Sequence, residues 1–371
     1  MKKTDKKPML LLLGAALCII LCCLVAAGAK VSTKTEYYGM QLDATQRLES
    51  YFDCIKQYKQ QLGIAMQEED IHQTGMIGER FTGITTTVGD IGAKRTVASP
   101  DMGALCVRML YEAGVRPGDS VGAGFSGSFP GMNLAVVAAC ESMNVNLICI
   151  PSVGASTYGA TNPEFTFPEM MLHLKNEGLI STECAAVSLG GEDDIGLNMM
   201  DQDLVGEIRA RLLEEGLPLF EEGDFQSNLA FRENIYDEGG PISCFVAVGG
   251  NITSMGREES GLSLGQGIID PASVTVLDNN SGLVQRYLSR GVAAINLLNI
   301  KKIVAEYGLA FDPEQWPERG TSAVYYTYDY PKLPLFAGLC GAAAFLTTYC
   351  LARRKRGTDT KIDGPSDNGT K

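Results

Sequence analysis

Asp119–Cys149 reads DSVGAGFSGSFPGMNLAVVAACESMNVNLIC, and the alternation inside it decides the fold. Ser120–Ala123 is a short run of small, largely apolar residues suited to a buried strand. A turn dense in glycine and hydroxyls follows, with Gly124, Ser126, Gly127, Ser128, Pro130 and Gly131. Met132, Leu134, Ala135, Val136, Val137 and Ala139 then recur at helical spacing, and Val145–Ile150 returns to a largely apolar strand. Strand, glycine turn, helix, strand is a βαβ unit. Its turn aims free backbone N–H groups at whatever sits above the helix N-terminus.

The same alternation extends outward. Helices are expected at Pro100–Tyr111, Phe167–Asn176, Asp201–Glu215, Phe225–Tyr236, Leu283–Ser289 and Lys301–Tyr307, and further strands at Ala185–Leu189, Ser243–Val248 and Val292–Leu298. This order predicts an α/β domain with a mostly parallel, Rossmann-like sheet and helices on both faces. Upstream, Thr35–Leu62 reads as one amphipathic helix, Gly63–Gly83 as a polar connection, and Ile84–Thr96 as a hydroxyl-rich loop ending in adjacent cations. About 30 residues after Gly250 are rich in Gly and Ser and show no clear period.

The two ends of the chain are different in kind. Neither Pro8–Ala29 nor Leu333–Ala352 carries a charge, and each approaches the ~20 residues that cross a bilayer as a helix. Lys2, Lys3, Lys6 and Lys7 precede the first; Arg353, Arg354, Lys355 and Arg356 follow the second. Basic flanks stay cytoplasmic, so both termini are expected inside the cell membrane and the main domain outside it. Ala27-Gly28-Ala29 also fits a cleavage site, which would make the first segment a removable signal peptide. The residues before Cys18, Cys22 and Cys23 are too large for a lipoprotein signal. The expected organisation is then a basic end and anchor (1–30), an amphipathic helix and connection (31–83), an extracytoplasmic α/β domain (84–332), a second transmembrane helix (333–352) and a cytoplasmic tail (353–371).

Charge restricts the partners. The chain has 31 basic and 44 acidic residues; setting aside the 10 basic and 4 acidic ones at its ends leaves 21 against 40 for Lys30–Lys332. So acidic a domain repels polyanions at long range, which argues against nucleic acid, and an anionic ligand has to be captured by a few aimed groups. Of the 11 cysteines, Cys54, Cys106, Cys140, Cys149, Cys184 and Cys244 lie outside the apolar ends without any CxxC pair. Most sit in apolar patterns as small hydrophobes, with one or two disulfides left open by an outside location. His72 and His173 are the only histidines, and neither lies near a cysteine cluster, so no metal site is expected. Neither Gly-x-x-x-x-Gly-Lys nor Gly-x-Gly-x-x-Gly occurs, and no cofactor is expected.

Glycine turns end four of the expected strands: Gly124–Gly131, Pro151–Gly159, Gly190–Gly196 and Gly249–Met255. Tight turning and helix capping explain any one of them. All four on one sheet edge argue for a single cleft containing Ser126, Ser128, Ser152, Ser156, Asp193, Asp194 and Asn251. Ser126 or Ser128 is a candidate nucleophile, but the elbow motif requires glycine where Ser128 stands. Neither histidine is at a strand end, where a hydrolase base would be expected; a Ser–Lys arrangement with Lys94 is one alternative. Lys94 and Arg95 read either as a salt-bridged structural pair or as a local anion clamp.

Several blocks carry a resemblance. Thr85–Thr96 (TTTVGDIGAKRT), Gly114–Asp119 (GVRPGD), Gly127–Asn133 (GSFPGMN) and Ser152–Thr166 (SVGASTYGATNPEFT) resemble the poly-gamma-glutamate system protein family, as do Ser188–Gly191, Val248–Gly250 and Gly291–Ile300. The likeness covers most of Tyr37–Asp312 and supplies no catalytic residues. It implies a capsule-polymer accessory that accompanies the membrane subunits of the poly-γ-glutamate synthetase and meets the glutamate polymer or its terminus. With that implication, the expected function is carboxylate binding, and the expected ligand-binding residues are Thr86, Asp90, Lys94, Arg95, Ser126, Gly127, Ser128, Ser156 and Asn251. The alternatives are a hydrolase or amide-transferring enzyme working through Ser126 or Ser128, and a structural scaffold of the synthetase.

Overall fold

The structure is a computed structural model that describes residues 7–257, 264–273 and 276–359. The basic residues expected before the first helix at Lys2, Lys3 and Lys6, and the end of the expected tail from 360 onward, lie outside the described residues. In chain order the elements are α1 (Lys7–Gly28), β1 (Val31–Lys34), α2 (Tyr38–Gln61), α3 (Ile91–Val97), α4 (Asp101–Glu112), β2 (Ser120–Phe125), α5 (Pro130–Met143), β3 (Asn146–Pro151) and α6 (Phe167–Asn176). They continue with α7 (Gln202–Glu214), α8 (Phe225–Asp237), β4 (Cys244–Val248), α9 (Ile252–Met255), β5 (Gly267–Ile269), α10 (Leu283–Ser289), β6 (Ala293–Leu297), α11 (Ile300–Glu306), β7 (Tyr326–Asp329) and α12 (Lys332–Asp359).

Thr35–Tyr325 forms one unit. Its sheet has the order β3-β2-β4-β6-β5, with β2 paired in parallel to β3 and β4, β4 in parallel to β6, and β5 antiparallel to β6. The βαβ unit read from Asp119–Cys149 is β2–α5–β3. Pro130 opens α5, where its missing N–H has no helical partner to lose, and Asn144 closes it at φ 53°. Alternation along β4 assigns the two faces. Phe245 and Ala247 join Ala294, Tyr287, Leu288, Leu229 and Tyr236 in the core beneath α8 and α10. Val246, with Ile295 and Leu297, meets Cys106, Met109 and Leu110 of α4 and Val136 of α5. The amphipathic helix α2 packs on α4 and α5, burying Leu48, Tyr51, Phe52 and Ile55.

The expected strand at Ala185–Leu189 is absent. Cys184 and Ser188 make isolated parallel bridges to Cys149 and Ser152, and Val187 bridges Leu219, so this segment flanks β3 without a continuous ladder. Its core residues Val187 and Leu189 pack with Ile84, Val153 and Val205, Ile208 and Leu212 of α7. Three short elements of this unit, α3, α9 and β5, were not legible in the sequence.

The described residues before Thr35 and after Tyr325 form a second unit. Within it β1 pairs antiparallel with β7, Val31 opposite Asp329 and Lys34 opposite Tyr326. In α1 and α12, small residues bring the helices close: a Cβ at Gly338 would stand 2.8 Å from Cys22 Cβ, and one at Gly341 2.6 Å from Cys18 Sγ. Met9–Gly28 and Lys332–Arg353 are long and apolar enough to cross a membrane.

Candidate functional site

In the sheet order, the connection leaving β2 runs to β3 on one side while β4 lies on the other. The crevice outside the carboxyl ends of β2 and β4 is therefore a topological switch point, where open parallel sheets hold ligands. A cleft of about 540 Å³ opens there, lined by residues from the turns after β2, β3, β4 and β6, by the 86–90 loop and by the 190–198 turn.

Residues 84–89 lie across the turn after β3. Thr86 N donates to Ala155 O (2.8 Å), Thr157 N to Thr87 O (2.9 Å) and Gly89 N to Thr157 Oγ1 (2.8 Å). Asp90 then caps α3, its Oδ1 accepting from Ala93 N at 2.8 Å. This cap sets the direction of α3. Consecutive helical residues diverge by about 100°, so Lys94 and Arg95 leave the helix on different sides. Lys94 lines the cleft; Arg95 does not, and is paired with Asp312 instead.

Lys94 is buried, at 2% exposure. Its Nζ donates to Ser128 O, lies 2.7 Å from Ser156 Oγ and sits 4.0 Å from the centroid of the Phe129 ring. No carboxylate pairs with it among the described residues, and Asp90 acts on it only at longer range. Burial, opposed in part by Asp90, pushes the amine down to about 7.

The serines form a connected set. Ser126 Oγ donates to Ser128 Oγ (2.9 Å) and accepts from Ser128 N (3.2 Å). Ser156 N donates to Ser128 Oγ at 3.0 Å. Ser128 Oγ thus accepts twice, and its own proton has no acceptor among the described residues. Asn133 anchors the turn from inside α5, donating to Ser126 O at 2.8 Å. Across the cleft Asn251 caps α9 through Oδ1, which accepts from Ser254 N at 2.9 Å, and leaves Nδ2 without a partner among the described residues.

Seven of the nine expected ligand-binding residues line one cleft: Thr86, Asp90, Lys94, Ser126, Ser128, Ser156 and Asn251. Arg95 and Gly127 do not. Gly127 holds the turn from behind: a Cβ there would lie 2.7 Å from Val153 O and 2.9 Å from Gly154 O. Asp193 and Asp194 diverge. Asp194 lines the cleft wall but is spent on Arg232, Ser188 Oγ and Asn228 Nδ2, while Asp193 pairs with Arg257. The histidines are stacked on aromatic rings elsewhere, His72 on Trp316 and His173 on Tyr58. Phe129, Gly89 and Glu192 also line the cleft and were not anticipated. Phe129 stands in the Gly127–Asn133 block, where its ring offers Lys94 an aromatic face in place of a counter-ion.

Compared with family models, with curated proteins and with solved structures, the chain finds no match.

Proposed function

We propose that this protein is a membrane-anchored accessory of poly-γ-glutamate synthesis or export whose Thr35–Tyr325 unit stands outside the membrane and binds a γ-glutamyl chain or its terminus in the cleft. One observation carries the reading. The Ser128 hydroxyl proton, Asn251 Nδ2 and Lys94 Nζ line the same cleft, and none of them is paired with a carboxylate among the described residues. These donors suit a ligand rich in acceptors, and a γ-glutamyl chain presents an amide carbonyl and a free α-carboxylate in every unit. The resemblance in the Thr85–Thr96 and Ser152–Thr166 blocks supports the same ligand, because these blocks supply the 86–90 loop and the turn after β3 that wall the cleft. The flanking basic residues and the two apolar helices support the membrane anchoring.

The test is equilibrium binding of short glutamate oligomers to the full-length protein in detergent. γ-Linked oligomers are expected to bind, with α-linked oligomers of the same charge at least tenfold weaker. Ser128→Ala and Asn251→Ala are each expected to weaken binding about fivefold, on the order of 1 kcal/mol for one hydrogen bond. Equal affinity for both linkages, or no binding, would overturn the reading.

A further inference from the structure

Among the cleft hydroxyls, one stands apart. Ser126 Oγ and Ser128 Oγ bond to each other, and neither touches the Lys94 amine. Ser156 Oγ does, at 2.7 Å. Both partners are buried, at 2% and 6% exposure, and both line the cleft. Their alignment is enforced from every side. Lys94 is held by Ser128 O and the Phe129 ring, and Ser156 by its N–H to Ser128 Oγ. Gly89 allows the overlying loop to pass close to both, since a Cβ there would lie 2.8 Å from Ser156 Oγ and 3.0 Å from Lys94 Cε.

We propose that Ser156 and Lys94 are a nucleophile and its general base, and that the cleft cleaves or transfers a γ-glutamyl amide, resting for its substrate on the reading of the cleft as a γ-glutamyl site. The base needs a lone pair, and burial supplies it: an amine brought down to about 7 is neutral in a large fraction of molecules near neutral pH. Neutral Lys94 keeps an N–H for Ser128 O and presents its lone pair to the Ser156 hydroxyl. Ser156 Oγ attacks the amide carbonyl carbon, and its proton passes to Lys94 Nζ. The C–N bond then breaks, and the leaving amine takes that proton from Lys94. The product is a γ-glutamyl ester on Ser156. Water, or the amino group of another chain, attacks the ester and gives its proton to Lys94; the C–O bond breaks and Ser156 Oγ recovers a proton from Lys94. Water yields hydrolysis and an amine yields transfer, with no further reactant required. Ser128 Oγ, 3.0 Å from Ser156 N and with its own proton unassigned, is the donor this proposal gives to the developing oxyanion.

The experiment treats the full-length protein in detergent with a fluorophosphonate probe across pH 5–9 and maps the adduct by peptide mass. One adduct on Ser156 is expected, absent in Ser156→Ala. Its formation rate should rise about tenfold per pH unit below about 7 and level off above, following neutral Lys94. Lys94→Met should slow labelling at least 100-fold; because that variant also alters a buried site, the wild-type pH profile carries the assignment of the base. An adduct on another residue, a rate that does not change with pH, or no adduct on protein that still binds γ-glutamate oligomers would overturn the pair. Labelling of Ser156 with the stated profile on protein that fails to bind those oligomers supports the pair and removes the ligand reading instead.

Discussion

Arg95 Nε lies 2.7 Å from Asp312 Oδ1, with Nη2 and Oδ2 closing a second contact, so the guanidinium grips a carboxylate of its own chain and is not available to a ligand. The Arg95 guanidinium in turn holds the Asp312 carboxyl below its ordinary range. Arg95→Ala is expected to leave binding of γ-glutamate oligomers unchanged and to lower stability by about 1 kcal/mol, as a partly exposed bidentate pair does. The loss should shrink once pH falls below the ordinary carboxylate range and vanish only when pH has passed through the lowered folded value of Asp312, where that carboxyl is protonated even beside Arg95. Binding assays and denaturant titrations at pH 7 and pH 3 check both halves.

Gly127 is required by crowding, not by a left-handed backbone. The carbonyls of Val153 and Gly154 leave no room for a Cβ, and both are main-chain atoms that cannot swing aside. Gly127→Val is expected to cost roughly 3 kcal/mol through overpacking. Ser126→Ala, which removes only the contacts to Ser128, should cost about 1 kcal/mol. Urea midpoints of the two variants decide the comparison, and a Gly127→Val midpoint at or above that of Ser126→Ala would contradict it.

Lys59 gives a pH dependence with a definite sign. Its buried Nζ donates to Gly75 O at 2.7 Å, and burial, opposed by Asp70, pushes the amine down to about 8. The unfolded chain holds that proton to about pH 10.4. From pH 8 upward the unfolded state therefore binds more protons than the folded one, and stability rises with pH by up to about 1.4 kcal/mol per unit. Tyr287, Tyr325 and the thiols of Cys106, Cys140, Cys184 and Cys244, all pushed up by burial, act in the opposite direction once the unfolded groups ionise, so over pH 8–9.5 the Lys59 contribution is read as a difference in which they cancel. Wild type minus Lys59→Met, measured by denaturant unfolding, should gain about 1–2 kcal/mol across that window.

The proposed topology makes its own prediction. Reporter fusions after Asp312 are expected to report outside the membrane, and fusions after Gly357 in the cytoplasm. A cytoplasmic signal at Asp312 would reverse the orientation proposed for the cleft.

The strongly patterned parts of the fold were legible from residue order alone. Phe167–Asn176 and Leu283–Ser289 are helices over the limits the sequence indicates, and β2–α5–β3 follows its alternation. What escaped had weak local signals. In α3, Gly92 and the β-branched residues at both ends give no apolar period, and the Asp90 cap is the one clue to a helix. The Ala185–Leu189 segment is apolar enough for a strand, yet apolarity does not say whether a ladder or a helix covers it; α7 does. At the site, residue types were readable but partnerships were not. Lys94 and Arg95 look like a pair because they adjoin in the chain, and a helix turns adjoining residues apart. Ser156 meets Lys94 only because residues 84–89 fold back over the turn after β3, a contact across 62 positions.

The two flanks of the cleft differ in how they are tied down. On the β2 side, every residue from Val121 to Phe125 is matched to partners in both β3 and β4. On the far side, residues 184–189 meet β3 at single bridges. Main-chain amides on the first flank open only when the sheet itself comes apart, whereas those on the second open by releasing a few bonds at a time. Ala185, Val187 and Ser188 each donate a main-chain bond, but without a ladder on either side, so hydrogen exchange is expected to run faster along 184–189 than along β2. For the proposed polymer ligand, a looser flank beside a fixed one predicts side entry, with an internal unit laid into the groove instead of a chain end threaded.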